Sequence, residues 1–433
     1  MISEIRQRFD AAPMGRTQIL AVAMTFILSA LDGYDVLSVT FAAPAITAQW
    51  NVGKAALGLV LSAGLVGMAL GSFVLAPLAD VYGRKTMVLV SLGLMALGML
   101  LSAGAGSLEQ LALWRVLTGL GIGACVAVIN PLAAEFANAR RRPLAVALMA
   151  VGYPVGGMIG GLLAAILLQS FGWQAIFLAG FAGSLVLLPA VLWLLPESPA
   201  FLVSSRRPDR LERLNAVLMR CGQPTVPEWS EVGSPARRGY AAVFAPGQRG
   251  STAWLTSANL LYVMAVYFTL SWMPQMVADA GFAPSAGSVV SAVASSTGIA
   301  GCLIMGWLAQ GGGLRWLVAG AMIGLGIALS AFGQATNSLA LLTVLGGVCG
   351  FLLFGGAAGL YATLATTFGD EARATGSGFV IGVGRVSSAV APVLAGWLFA
   401  SGLGRAEVSA AFGACAALGG LIIVFGWTRF RKP

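Results

Sequence analysis

The feature that most restricts this chain is a series of long apolar runs, each of about 20 residues or more, recurring from one end to the other. In the first half they cover Gln18–Thr47, Ala55–Leu78, Thr86–Ala105, Leu108–Ala134, Leu144–Leu168 and Trp173–Leu195. In the second they cover Thr252–Met276, Ala286–Ala309, Leu314–Phe332, Leu339–Thr366, Ala374–Ala400 and Glu407–Trp427. A backbone in hydrocarbon must satisfy its own polar groups, so runs of this length predict membrane-spanning helices. The expected fold is all-α and integral to the membrane, with twelve spans in two bundles of six.

Charge placement tests the count. Only 9% of the 433 residues are charged, against about 25% in a soluble domain. With both termini cytoplasmic, all of the 25 Lys and Arg fall in cytoplasmic segments except four. Lys54 and Arg405 fall outside, and Arg115 and Arg385 lie within spans. This is the asymmetry of the positive-inside rule, and one span missed early would reverse every later basic loop. The net charge of +9 is thereby explained without nucleic acid. The expected location is a bacterial inner membrane.

The divisions follow: a cytoplasmic tail (1–17), a six-helix bundle (18–196), a cytoplasmic linker (197–250), a second bundle (251–428) and a short tail (429–433). The linker holds eight arginines and five acids, with a short amphipathic helix near Arg206–Arg220. Weak repeats relate the halves. APLADVYGRKT (Ala76–Thr86) matches GWLAQGGGLRW (Gly306–Trp316), and GYPVGGMIGG (Gly152–Gly161) matches GVGRVSSAVAPVLAG (Gly382–Gly396). Parallel repeats of this kind suggest bundles that rock about a central site. One chain contains both halves, so it is expected to work as a monomer.

Histidine is absent, and the five cysteines have no metal-like spacing, so no metal or cofactor is expected and proton chemistry falls to Asp or Glu. No nucleophile elbow or cofactor loop suggests an enzyme. Asp32 and Asp35 interrupt the first run. Three residues apart on a helix, they share one face with ~4.5 Å of rise between them. Each costs roughly 2.5–3.5 kcal/mol at the centre of a bilayer, so the pair reads as protonatable groups on a transport path rather than packing.

Arg385 lies mid-span in the eleventh run with no acid in its own span. Its planar fork suits a carboxylate, so it reads as the site of an anionic substrate. Tyr267 and Trp272, in YFTLSWMP, either belong to an interfacial belt or wall a pocket for a flat ring. Tyr34 and Phe379 are further candidates for that wall, with Tyr153 and Tyr361. Arg115 in the fourth span is a further candidate for binding the substrate, the alternative being a structural ion pair with a first-span aspartate. Glu135 is expected to pair with the following Arg140, Arg141 and Arg142, or to join the aspartates in proton handling. Asp80, Gly83 and Arg84, after the second span, form a candidate gating latch at the cytoplasmic mouth.

Taken together, ADVYGRK, WRVLTGLGIG (Trp114–Gly123) and PESPAFL (Pro196–Leu202) resemble the major facilitator superfamily. DGYD in the first span, YFTLSWMP and ATGSGFVIGVGR (Ala374–Arg385) are similar to its aromatic acid/proton symporter subfamily. The loop differs from the family pattern in holding Ala76 and Val81. The resemblance implies proton-coupled uptake of a small aromatic carboxylate by alternating access, with a role in coupling for Asp32 and Asp35. It also implies functional roles for Asp80, Arg115, Glu135 and Arg385. The alternative is an organic-anion exporter or antiporter on the same fold.

Overall fold

A computed structural model of the chain describes residues 2–205, 208–227, 249–335, 338–368 and 373–430. Among them, twelve helices are long and apolar enough to cross a membrane. The first bundle is built from α2 (Arg16–Trp50), α3 (Lys54–Val74), α5 (Arg84–Ala103), α6 (Leu108–Phe136), α7 (Arg142–Ser170) and α8 (Gln174–Leu194). The second comprises α11 (Arg249–Asp279), α12 (Pro284–Leu308), α13 (Leu314–Gln334), α14 (Leu339–Thr367), α15 (Arg373–Ala400) and α16 (Arg405–Phe430). Four short helices complete the described chain: α1 (Ile2–Ala11), α4 (Ala79–Tyr82), α9 (Pro199–Ser204) and α10 (Arg210–Arg220).

Local chemistry sets the ends. Ser107 caps α6 by accepting from the Gln110 amide, and Ser338 caps α14 by accepting from the Leu341 amide. These are the fourth span of each half, so the repeat extends to its caps. The matched loops also share a 3-10 turn, at Ala76–Leu78 and at Ala309–Gly311. Asn51, in the left-handed region at φ 50°, stops α2. The spans alternate in direction, which puts the linker on the same face as the ends of the chain. That face is called the near face below, and the opposite one the far face.

The first 17 residues are not a simple tail. α1 buries Ile5 and Phe9 against the near end of the first bundle. Arg6 donates to the carbonyls of Ala134 and Glu135 at the C-terminal end of α6, where a cation is favoured by the helix dipole. The expected amphipathic helix of the linker is α10, which buries Leu214, Val217 and Leu218. Linker residues 206–207 and 228–248 lie outside the described residues, as do 431–433.

The halves meet through α2 with α11, α3 with α15, and α7 with α12. Their closest approach is on the far side. A Cβ on Gly58 would come within 2.6 Å of the Pro392 carbonyl, and one on Gly161 within 2.7 Å of the Ser288 carbonyl. Glycine at these positions lets the backbones touch.

Candidate functional site

Asp32 and Asp35 lie one turn apart on α2, both fully buried. No carboxylate oxygen of either has a hydrogen-bond partner among the described residues. Their surroundings differ. Arg115 of α6 is 1% exposed and sits in the Asp35 region. It donates to the Asp35 main-chain carbonyl at 2.6 Å, to the Ser38 hydroxyl at 3.2 Å and to the Met99 sulfur at 3.4 Å. The expected side-chain pair is therefore replaced by a bond to the backbone, although the charges of Arg115 and Asp35 still feel one another. The guanidinium also lies 5.8 Å from the Phe177 ring centroid, a cation–π distance. This cluster is enclosed within the first half.

Asp32 faces another way. The Cys125 thiol lies beside it, and Tyr153 of α7 is within its electrostatic reach. Tyr153 is in turn within electrostatic reach of Tyr267 of the second half, and Tyr267 within reach of Arg385. A line of groups, each within electrostatic reach of the next, thus runs from one bundle to the other. Tyr361, 53% exposed, is also within reach of Arg385.

Arg385 is half-buried, and its guanidinium makes no hydrogen bond or ion pair among the described residues. Its placement depends on Asn259, which sequence reading missed. The Asn259 amide donates to the Val380 carbonyl at 2.8 Å, fixing α15 on α11 just before Arg385. An isolated Asn inside an apolar run was the available signal, since such side chains bond across helices.

The other candidates fall in different places. Tyr34 donates to the Ile176 carbonyl at 2.7 Å and ties α2 to α8. Trp272 is fully buried; its indole N–H donates to the Pro392 carbonyl, and its ring packs on Phe399 at 4.8 Å. Neither presents a free face to a ligand in this state. Phe379 is half-buried on α15, a turn and a half before Arg385.

At the near end, Glu135 does not join Arg140, Arg141 or Arg142. It pairs with Arg84 and accepts from the Ser198 hydroxyl at 2.5 Å, while Arg142 pairs with Asp10 of α1. Glu197 accepts from the Arg84 and Lys85 amides at 2.8 and 3.0 Å, capping α5. Gly83 has φ 105°, a region that favours glycine, and makes the turn that brings Arg84 to Glu135. Asp80 is exposed and within electrostatic reach of Arg84. Among the described residues, the named members of this network belong to the first half and the linker.

Among the described residues, the hydrogen bonds and the ion pair between the halves are on the far side. Lys54 donates to both oxygens of Asp279 at 2.6 and 2.5 Å. Thr47 reaches Gln275 at 3.4 Å, and the Ser62 hydroxyl donates to the Ala389 carbonyl. Arg385 lies one turn of α15 inward from Ala389. Lys54 was visible in the sequence as one of two cations expected on the far face, but its partner, 225 residues away, was not. The other, Arg405, donates to the Met276 and Ala335 carbonyls.

A part-exposed pair such as Lys54–Asp279 is worth about 0.2–1 kcal/mol, so its loss shifts an open–closed equilibrium by at most about fivefold. Lys54→Ala should therefore raise the rate at which a lone cysteine, placed by Ser62→Cys in a background without the native cysteines, reacts with a thiol reagent. An unchanged rate would show that the pair does not help hold this side shut.

The comparisons with known proteins agree with this architecture. A model of the Major Facilitator Superfamily matches residues 25–312. The chain is 30% identical to a gallate transporter of Pseudomonas putida over 409 residues, covering 93% of this chain and 90% of that one. It is 31% identical to the 4-hydroxybenzoate transporter PcaK of Pseudomonas aeruginosa over 415 residues, again 93% and 90%. Among solved structures, a D-xylose-proton symporter superimposes with a TM-score of 0.72 at 16% identity, over 94% of this chain and 97% of that one. The likeness in fold, the family match and the identities over nearly the full length agree: the chain belongs to the major facilitator superfamily.

Proposed function

We propose that the protein takes up a small aromatic carboxylate together with a proton, exposing one site alternately to each side of the membrane. The observation that carries this reading is Arg385, a half-buried cation inside the far-side seal with no acid partner among the described residues. A charge so placed is costly unless something answers it. Tyr267 and Tyr361 beside it suit a flat ring, as pockets for small ligands combine apolar walls with a few fixed polar groups. The printed substrates of the relatives, gallate and 4-hydroxybenzoate, are of this class.

Asp32 and Asp35 are the proton carriers in this reading. Substrate on Arg385 and a proton on α2 would favour the same rearrangement, which couples the two bindings. The near-end network of Arg84, Glu135 and Asp80 would restrain the opposite opening. The proposed setting is a bacterial inner membrane, with the near face cytoplasmic and one chain as the working unit.

The test is uptake by proteoliposomes under an imposed inward proton gradient, with a panel of radiolabelled aromatic acids. Accumulation of at least one acid, abolished by an uncoupler, is expected. Efflux of preloaded acid driven by the same gradient would make the protein an antiporter, and movement of none would remove the aromatic-acid reading. Arg385→Lys keeps the charge but loses the two-pronged geometry, so KM should rise roughly tenfold.

A further inference from the structure

Several buried hydroxyls lack a partner among the described residues, Ser288 and Ser291 of α12 included, and one of them is a phenol where the halves meet. Tyr153 stands in the tight crossing of α7 with α2, where a Cβ on Gly33 would collide with the Tyr153 carbonyl oxygen. That crossing puts Tyr153 beside the turn of α2 that carries Asp32. Its ring reaches the second half, 6.3 Å from the Phe354 ring and tilted by 53°. Its oxygen is covered by protein and has no hydrogen-bond partner among the described residues. Buried hydroxyls are almost always paired, and leaving one unpaired is unfavourable. Two other buried tyrosines obey that rule: Tyr34 donates to Ile176, and Tyr262 to the Leu353 carbonyl.

The unused groups around Tyr153 complement one another. Among the described residues, the Asp32 oxygens have only the weakly donating Cys125 thiol beside them, and the Tyr153 phenol offers an unused donor. A hydroxyl both donates and accepts, so this pair can satisfy it completely. Across the interface, Tyr267 is within electrostatic reach of both Tyr153 and Arg385, the group proposed to hold the carboxylate. The polar requirements at the two ends of the line are therefore different: a hydroxyl on the first half and a carboxylate on the second.

We infer that Tyr153 is a specificity-determining residue that, with Asp32, recognises a hydroxyl on the aromatic ring, so that the preferred cargo is a hydroxylated aromatic acid. The inference rests on the uptake reading above and adds the identity of the second contact. A site built to hydrogen-bond a hydroxyl discriminates well against analogues that lack it, because its own polar groups are then left unpaired. Cargo held at both ends also bridges the two halves, which a simple benzoate would do at one end only.

The experiment compares KM for benzoate, 4-hydroxybenzoate and 4-methoxybenzoate in proteoliposomes holding wild type or Tyr153→Phe. In wild type, KM for 4-hydroxybenzoate should be at least tenfold below that for either other acid. Tyr153→Phe keeps the ring against Phe354 and should shrink the advantage over benzoate by roughly tenfold. The inference is overturned if the ratio is the same in both proteins, or if wild type does not separate the hydroxy acid from its methyl ether. The wild-type comparison decides even if the variant does not fold. Should no acid be taken up at all, the uptake reading falls as well; transport without discrimination removes this inference alone.

Discussion

Asp32→Asn should abolish accumulation of the acid while leaving exchange of labelled for unlabelled acid across the membrane. Asn preserves the size and shape of the side chain but cannot take up or release a proton. An inward gradient of one pH unit is worth about 1.4 kcal/mol per proton. One proton moving with each monocarboxylate is electroneutral, so wild type should concentrate the acid about tenfold at equilibrium, and the variant should stop at equal concentrations. Exchange needs only the loaded carrier to reorient, which a permanently neutral residue permits. Asp32 is the first choice because it faces the line of groups leading to Arg385, whereas Asp35 is enclosed with Arg115. If an Asp32→Asn, Asp35→Asn double variant still accumulated tenfold, the proton carrier would have to be sought elsewhere.

Gly156→Val should have the largest effect on the folded protein. A Cβ at Gly156 would collide with the Ala30 carbonyl oxygen of α2, which is backbone and cannot swing aside. Gly152 and Gly160, one turn to either side, meet α2 as well, at the Phe26 carbonyl and the Tyr34 ring. This stripe is the surface on which α7 lies against α2, and small residues at this spacing allow such close approach. Overpacking a tight core commonly costs 1–3 kcal/mol, and a clash with backbone sits at the upper end or beyond it. The expected result is a melting temperature in detergent lower by roughly 5 °C or more, with loss of the monodisperse peak on size exclusion. Gly93 is the control, because a Cβ there meets nothing within 4 Å and Gly93→Ala only improves helix propensity. Equal stability of Gly156→Val and wild type would mean that the two helices are not packed in this way.

The two substitutions probe different links of one chain of causes. The glycine stripe brings α7 against α2, and that contact sets Tyr153 beside Asp32. Widening the crossing would therefore disturb selectivity as well as stability. Asp32→Asn leaves the crossing as it is and removes the proton, while its amide oxygen can still accept from a ring hydroxyl.

The sequence by itself determined the number of spans and the depth of the rare charges. These are local properties: hydrocarbon accepts a helix according to the polarity of about twenty consecutive residues. Asp32, Asp35, Arg115 and Arg385 were conspicuous for the same reason, because an ionisable group in an apolar run stands out without any knowledge of its neighbours. Only the tertiary structure decided what those groups touch. Glu135 is followed in sequence by three arginines, yet it pairs with Arg84 and Ser198, because the α3–α5 turn and the start of α9 converge on the end of α6. Arg115 reaches the Asp35 carbonyl instead of its carboxylate because α6 meets that stretch of α2 where the main chain is within reach. Trp272 lies within the same run as Tyr267, but its position turns it into the packing around Phe399. Lys54 and Asp279 come from different halves, and no local pattern encodes their meeting. Hydropathy is read along the chain, one helix at a time, whereas these pairings depend on which helices are neighbours and how each is rotated, and that is settled only when twelve helices pack together.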